Sequence, residues 1–353
     1  MTLSLAVRRG SDFSLLSKQI RDARLLDRRR VSYFFRIALT VLAYAGTWAA
    51  FVLIGESWLQ TITATVMGLL FTQVAFLGHD GGHQQVWRSK KANDLLGIVA
   101  GDLLTGLSYG WWVDKHNRHH AKPNHEGHDP DIGEGVLAFT TEQAAHRNGP
   151  VSKFITRNQA ILFFPLLTLE GLQLHVASFL SLRDGATHKH RRLEVSLFAV
   201  HVVGYLGAIF YVLGPVQALV FVAIQQAVFG LYMGCSFAPN HKGMAIVGPG
   251  VKIDFLRRQV LTSRNVRGGW FTDFALGGLN YQVEHHLFPN MPRPSLRKAQ
   301  NMVRAFCAEH SIPYTETTLV GSYAAALRSL HDLGEPLRVQ AAQLRATRSG
   351  VRA

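Results

Sequence analysis

Cysteine is nearly missing from this chain. Only Cys235 and Cys307 occur among 353 residues, too few for a disulfide framework or for a metal cluster held by four thiolates. A reducing compartment is therefore the expectation. Charge is also sparse, at 17% Asp, Glu, Lys and Arg, and what is present leans to a net +14. There is no convincing G-x-G-x-x-G fingerprint, which argues against a built-in flavin. No cleavable apolar segment precedes the basic first 32 residues, so no secretory signal is expected. No internal repeat is visible at the periods of solenoids or propellers.

Long uncharged runs, in contrast, are plentiful. Four occur: Ile37 to Ile54, Ser57 to Leu77, Val195 to Leu213 and Val216 to Pro239. At about 1.5 Å per helical residue, each covers roughly the 30 Å hydrocarbon core of a bilayer. Four such runs rarely occur together in a soluble protein. Gly55-Glu56 separates the first pair and Gly214-Pro215 the second, links short enough to force antiparallel neighbours. Neither link carries Lys or Arg, whereas the amino-terminal arm, the 78–194 segment and the chain after Pro239 carry many. The positive-inside rule places those three regions in the cytosol. The net charge then marks loops facing anionic lipid, and no nucleic-acid partner is expected.

The predicted fold is an all-α integral membrane protein with four transmembrane helices in two hairpins, interfacial helices, and a histidine-rich cytosolic cap. Gln159 to Leu180 contains Pro165, Glu170 and His175, costly in lipid, and is expected as an interfacial or half-embedded helix. If it crossed, the basic 182–192 loop and carboxy-terminal region would face outward. Residues 94–112, interrupted by Asp102, are expected at the membrane surface. The organisation is a basic cytosolic arm at 1–32, a membrane domain at 33–333, and a mobile basic tail at 334–353.

Histidine supplies the chemistry. The stretch "KHNRHHAKPNHEGHDPD" (115–131) holds five of them. "HDGGH" supplies His79 and His83, the stretch itself His116, His119 and His120, and "QVEHH" Gln282, His285 and His286. Spacing of i, i+3 and i+4 aligns side chains on one helical face, and an i,i+4 histidine pair is a natural chelate. An even number of crossings puts all three groups on one side of the membrane. Seven histidines exceed the needs of one ion, so two metals are indicated. "HEGH" (125–128) falls short of the zinc-protease pattern. Imidazole suits iron, zinc, copper and nickel, and ligand type alone does not choose among them. Asp80, Asp129, Asp131 and Asn240 are placed to accept the second N–H of metal-bound imidazoles. His125 and His128, beside "DPD", are read as lying in a loop that turns away. His175, His188, His190 and His201 have no partner at metal spacing, and "THKHRR" (187–192) reads as a lipid-headgroup patch.

These boxes resemble those of the membrane-bound fatty acid desaturases, in order and in approximate spacing. Their surroundings are similar too: "WW" before the second box, "HHAKPN" and "DPDI" within it, "HHLFPNMPR" around the third, and "FCAEHSIPYTE" (306–316) beyond. Glutamine opening "QVEHH", where other branches have histidine, resembles the front-end branch. The resemblance implies a non-haem di-iron enzyme that uses dioxygen as co-substrate to insert a double bond into an acyl chain, within a dry tunnel that an apolar scaffold supplies. It implies His79, His83, His116, His119, His120, Gln282, His285 and His286 as metal and catalytic residues. It adds His241, in "FAPNHKG", at the position of a further histidine ligand near an asparagine. Many front-end relatives carry a fused cytochrome b5 domain with a His-Pro-Gly-Gly motif, which this sequence lacks. Electrons are then expected from a separate protein, such as a ferredoxin or cytochrome b5 with its reductase. The acyl carrier, coenzyme A or lipid, stays open. An acyl hydroxylase on the same di-iron scaffold shares every ligand. A non-catalytic membrane metal carrier is disfavoured, because it would place its ligands inside the spans.

Overall fold

The structure, a computed structural model, describes residues 11–185 and 189–348. His188 and the start of the "THKHRR" patch lie outside the described residues, as do both ends of the chain. In chain order the first helices are α1 (Asp12–Asp22), α2 (Arg30–Ile54), α3 (Gln60–Gly82), α4 (Lys90–Ile98), α5 (Tyr109–Ala121) and α6 (Thr141–Ala145). Next come α7 (Pro150–Leu167), α8 (Glu170–Arg183), α9 (Arg191–Val212), α10 (Pro215–His241) and α11 (Phe255–Leu261). The last are α12 (Trp270–Ala275), α13 (Gln282–Leu287), α14 (Arg293–Glu309) and α15 (Leu319–Arg348).

Four of these, α2, α3, α9 and α10, are long and apolar enough to cross a membrane. They coincide with the four uncharged runs. Their outer faces are inside out by the standard of soluble proteins: Leu53 is 86% exposed and Leu42 69%. Contiguous apolar surface of that kind needs lipid to cover it. Inward, Phe51, Met67, Phe71, Phe221 and Phe229 form the core of the bundle. α3 approaches α10 closely at Gly68, where an added Cβ would lie 2.8 Å from the Gln225 carbonyl oxygen. Only glycine fits there.

A second core lies outside the bundle. Leu16 and Ile20 of α1 join Leu256 and Val260 of α11, Val283 and Leu287 of α13, and Val303 and Phe306 of α14. It cradles α13, which carries the third box. Two helices end late, and this places the site. α3 continues past the apolar run to Gly82, and α10 continues to His241. The first box and His241 thus ride on extensions of apolar helices.

Four features depart from the sequence expectation. Residues 159–180 are not one helix but the end of α7 and most of α8, which meet at an 80° bend. Pro165 sits in the last turn of α7, where the missing N–H weakens the helix before the break. Together the bent pair is apolar enough to form a broken span or a re-entrant segment. The 94–112 stretch is not one regular helix: α4 passes into a π-helical turn at Val99–Thr105, α5 begins at Tyr109, and Asp102 is fully buried. Burial, then the nearby charge of Glu194, pushes the Asp102 carboxyl up to about 8. The fold is mostly helical but includes two short parallel strands, β1 (Asn265–Arg267) and β2 (Glu316–Thr318), with Asn265 opposite Glu316. Finally, α15 runs on to Arg348, so residues 334–348 of the expected tail are helical, consistent with good helix formers such as those of "QAAQLRA".

Candidate metal centre

The second box is delivered by α5, whose amino terminus is held firmly. Ser108 caps it through its side chain, and the buried Glu194 carboxylate accepts from Ser108 Oγ at 2.9 Å and from the Gly110 N–H at 3.0 Å. A carboxylate at a helix amino terminus meets unpaired N–H groups and the positive end of the dipole. His116, His119 and His120 then occupy the last two turns of α5. His79 and His83 sit at the end of α3, His241 ends α10, and Gln282, His285 and His286 line α13.

All nine predicted residues gather in one place. Ring nitrogens of His79, His83, His116 and His285 lie within 4.8 Å of one another, and so do those of His119, His241 and His286. His120 stands between the groups, with Nε2 3.0 Å from His116 Nε2 and its ring stacked on His286 at 4.2 Å. Gln282 closes the second group, its Nε2 2.9 Å from His241 Nε2.

Tautomers follow from the outer hydrogen bonds. His119 Nδ1 donates to Asp129 at 3.0 Å, His241 Nδ1 to the Thr262 carbonyl at 3.0 Å, and His286 Nδ1 to Gln259 Oε1 at 3.0 Å. Each ring therefore directs a bare Nε2 lone pair inward. Those lone pairs face each other, at 3.3 Å for His119–His241 and 3.1 Å for His241–His286. Without a cation this arrangement is repulsive. With metal–nitrogen bonds of about 2.1 Å, neighbouring ligands on one ion stand about 3.0–3.4 Å apart. In the first group, Nε2 of His79, Nε2 of His83 and both nitrogens of His285 are buried with no hydrogen-bond partner. Buried polar groups are rarely left so unless something binds them. The residues fit a pair of metal ions.

The family model settles whose site this is: a profile of the fatty acid desaturases matches residues 56–318, most of the chain and all three boxes. The chain belongs to the fatty acid desaturase family. It is similar to an acyl-lipid (9-3)-desaturase of Physcomitrium patens, 30% identical over 339 residues that cover 91% of this chain and 63% of the moss protein. It is also similar to a Delta(6)-fatty-acid desaturase of Caenorhabditis elegans, 29% identical over 350 residues, 94% of this chain and 76% of the worm protein. A Delta(8)-fatty-acid desaturase 2 of Arabidopsis thaliana is 28% identical over 320 residues, 86% of this chain and 70% of the plant protein. These relatives bear out the front-end branch indicated by "QVEHH". As a member of the family the chain is an oxidoreductase of fatty acyl chains.

Within the desaturase the three carboxylates expected around the histidines, Asp80, Asp129 and Asp131, do face imidazole Nδ1 atoms, whereas Asn240, expected to accept from one, meets no imidazole of the described residues with its oxygen. Asp80 lies 3.3 Å from His79 Nδ1 and is held by Arg293 Nε at 2.7 Å. Asp129 also accepts from the Asn124 N–H at 2.7 Å, and Asp131 pairs with Lys115 at 2.6 Å. Asn240 donates to the Leu279 carbonyl at 3.0 Å and to Gln282 Oε1 at 3.3 Å. A third cluster, His119 with Asp129 and Asp131, uses the Nδ1 side of His119 and so serves orientation. The rings of His125 and His128 contact each other, centroids 4.5 Å apart, and both Nδ1 atoms donate to the Glu126 carbonyl. They belong to neither group of ring nitrogens.

Other contributors had no motif. Gln259 of α11 accepts from His286 and donates to the His120 carbonyl at 2.9 Å, tying two boxes together. Thr262 contributes only a carbonyl, which any residue offers. Glu284 lies inside the third box but turns away, accepting from Asn265 Nδ2 at 2.6 Å and Tyr314 OH at 2.8 Å. Burial pushes its carboxyl up to about 7. Tyr314 belongs to the "FCAEHSIPYTE" segment, so that segment's place in the resemblance gains a physical reason: it pins α13. Burial, followed by neighbouring imidazoles, holds His83, His116, His120, His285 and His286 well below the ordinary histidine range. At neutral pH these rings are uncharged, the form that binds metal.

Proposed function

We propose that this desaturase inserts a double bond into a long acyl chain with dioxygen at a centre of two irons. His79, His83, His116 and His285 would hold one ion, and His119, His241, His286 and Gln282 the other, with His120 between them. The observation that carries this reading is the inward convergence of lone pairs in two adjacent groups. Bound there, the irons supply the strong oxidant that an unactivated methylene C–H requires. The protein's part is position. Asp80, Asp129, Thr262 and Gln259 fix ring orientation and tautomer, and burial of the boxes keeps water from competing.

The charge pattern supports an arrangement in two hairpins, with the histidine cap on the cytosolic face. Residues 33–333 form the desaturase domain and 1–32 a basic cytosolic arm. Reporters fused after Leu182 and after Ala353 are expected to read cytosolic. An external reading from either overturns the shared-face argument. Removing two hydrogens while dioxygen becomes two waters leaves two electrons and two protons to be supplied. A separate carrier, a ferredoxin or cytochrome b5 with its reductase, delivers those electrons. The acyl chain arrives on coenzyme A or on a membrane lipid, and the moss relative is named for an acyl-lipid.

Lipid profiling of a host with and without the chain tests the reaction. New acyl chains two mass units lighter, with a double bond on the carboxyl side of existing ones, are expected. Chains gaining oxygen instead would assign a hydroxylase, and an unchanged profile would refute both.

A further inference from the structure

Between β1 and the third box the chain reads "GGWFTDFALGG" (268–278). The helix inside it, α12, buries none of its residues. Trp270 is 77% exposed, Phe271 65% and Phe274 46%. Three large aromatics on six residues form an apolar face too concentrated for water.

Its neighbours say what covers it. Tyr232 OH donates to the Ala275 carbonyl at 2.7 Å, and Gly277 lies so close to the Phe76 ring that a Cβ would come within 2.6 Å. Tyr232 and Phe76 belong to α10 and α3, inside the uncharged runs that match a bilayer core. The end of α12 thus adjoins α3 and α10 near the ends of their apolar runs that lead to the histidine centre, where the bilayer boundary is reached. Aromatic side chains collect at that level of a membrane. The base of α12 is anchored instead by polar contacts, Arg297 Nη2 to Asp273 Oδ2 at 2.7 Å and Asn280 Nδ2 to Asp273 Oδ1 at 2.9 Å. Gly277 and Gly278 follow with φ of +60° and +80°, a backbone that other residues rarely adopt. Gln282 comes four residues later.

We propose that α12 is a lipid-inserted flap, and that acyl chains pass from the bilayer to the histidine centre beside it, where it meets α3 and α10. The flap's aromatic face sits among lipid chains while its far end adjoins the segment that carries Gln282. This rests on the desaturase reading and adds the route by which substrate arrives.

The test uses the full-length, iron-loaded protein in phosphatidylcholine vesicles. The emission difference between wild type and Trp270→Phe isolates Trp270. Acyl-brominated phosphatidylcholine is expected to quench about half of it, and aqueous iodide little, as for a side chain at the interfacial belt. The double variant Trp270→Ser/Phe271→Ser is expected to keep its iron and its maximal rate but to need roughly tenfold more membrane-borne substrate, the signature of lost substrate capture. Trp270→Leu/Phe271→Leu, still apolar, is expected to restore wild-type dependence. Quenching by iodide and not by brominated lipid would overturn the insertion. Lipid quenching with an unchanged substrate dependence in the Ser variant would overturn the entry route. Inactivity of wild type would instead defeat the desaturase reading, so the two failures are distinguishable.

Discussion

His286→Ala is expected to abolish double-bond formation, with a loss of at least about a hundredfold, since even outer partners of metal ligands cost 10- to 100-fold. The ring sits at the meeting point of the two groups. Its Nε2 is 3.1 Å from that of His241, its face is stacked on His120 at 4.2 Å, and its Nδ1 is fixed by Gln259. Removing it deletes one inward lone pair and frees Gln259, which also holds the His120 carbonyl. The four apolar helices do not depend on this side chain, so the variant should still insert in membranes at the wild-type level. His120→Ala should behave alike. Product analysis beside a membrane-fraction blot checks both. Retention of most activity by either variant would remove that histidine from the site.

Gln282→Leu is expected to lose activity by roughly the same order, because leucine fills similar space but can neither coordinate nor hydrogen-bond. The carboxamide is 2% exposed and lies between Asn240, which donates to its oxygen at 3.3 Å, and His241 Nε2, 2.9 Å from its nitrogen. It faces the same lone pair that the second metal would use. Gln282→His is expected to keep both irons, since imidazole offers a nitrogen at that position, though with lower activity. Iron content and product yield for both variants are the readouts. Full activity in Gln282→Leu would reduce the third box to its two histidines.

What the sequence made legible was whatever repeats locally. Four uncharged runs announce four helices because a bilayer sets one length for all of them. The i, i+3, i+4 histidines announce a site because a helix turns at a fixed period. Asp80 and Asp129 were readable because they sit near their boxes. His241 has no spaced partner and was assigned only through the family resemblance. Gln259, the Thr262 carbonyl and Arg293 were not readable, since the folding of α11 and α14 onto the site brings them there. The bend after Pro165 and the burial of Asp102 were missed for a related reason. Length and polarity mark such a segment as interrupted, but the partner that accepts the interruption, such as Glu194 beside Asp102, lies far along the chain.

Two adjacent groups of inward-facing lone pairs would hold two ions of one metal. Elemental analysis of the full-length protein, purified in detergent after expression in iron-replete medium, measures that directly. The arrangement predicts about two iron ions per chain, falling in His286→Ala and His285→Ala, because each replacement strips a ligand from a different group. One zinc and no iron per chain would contradict it.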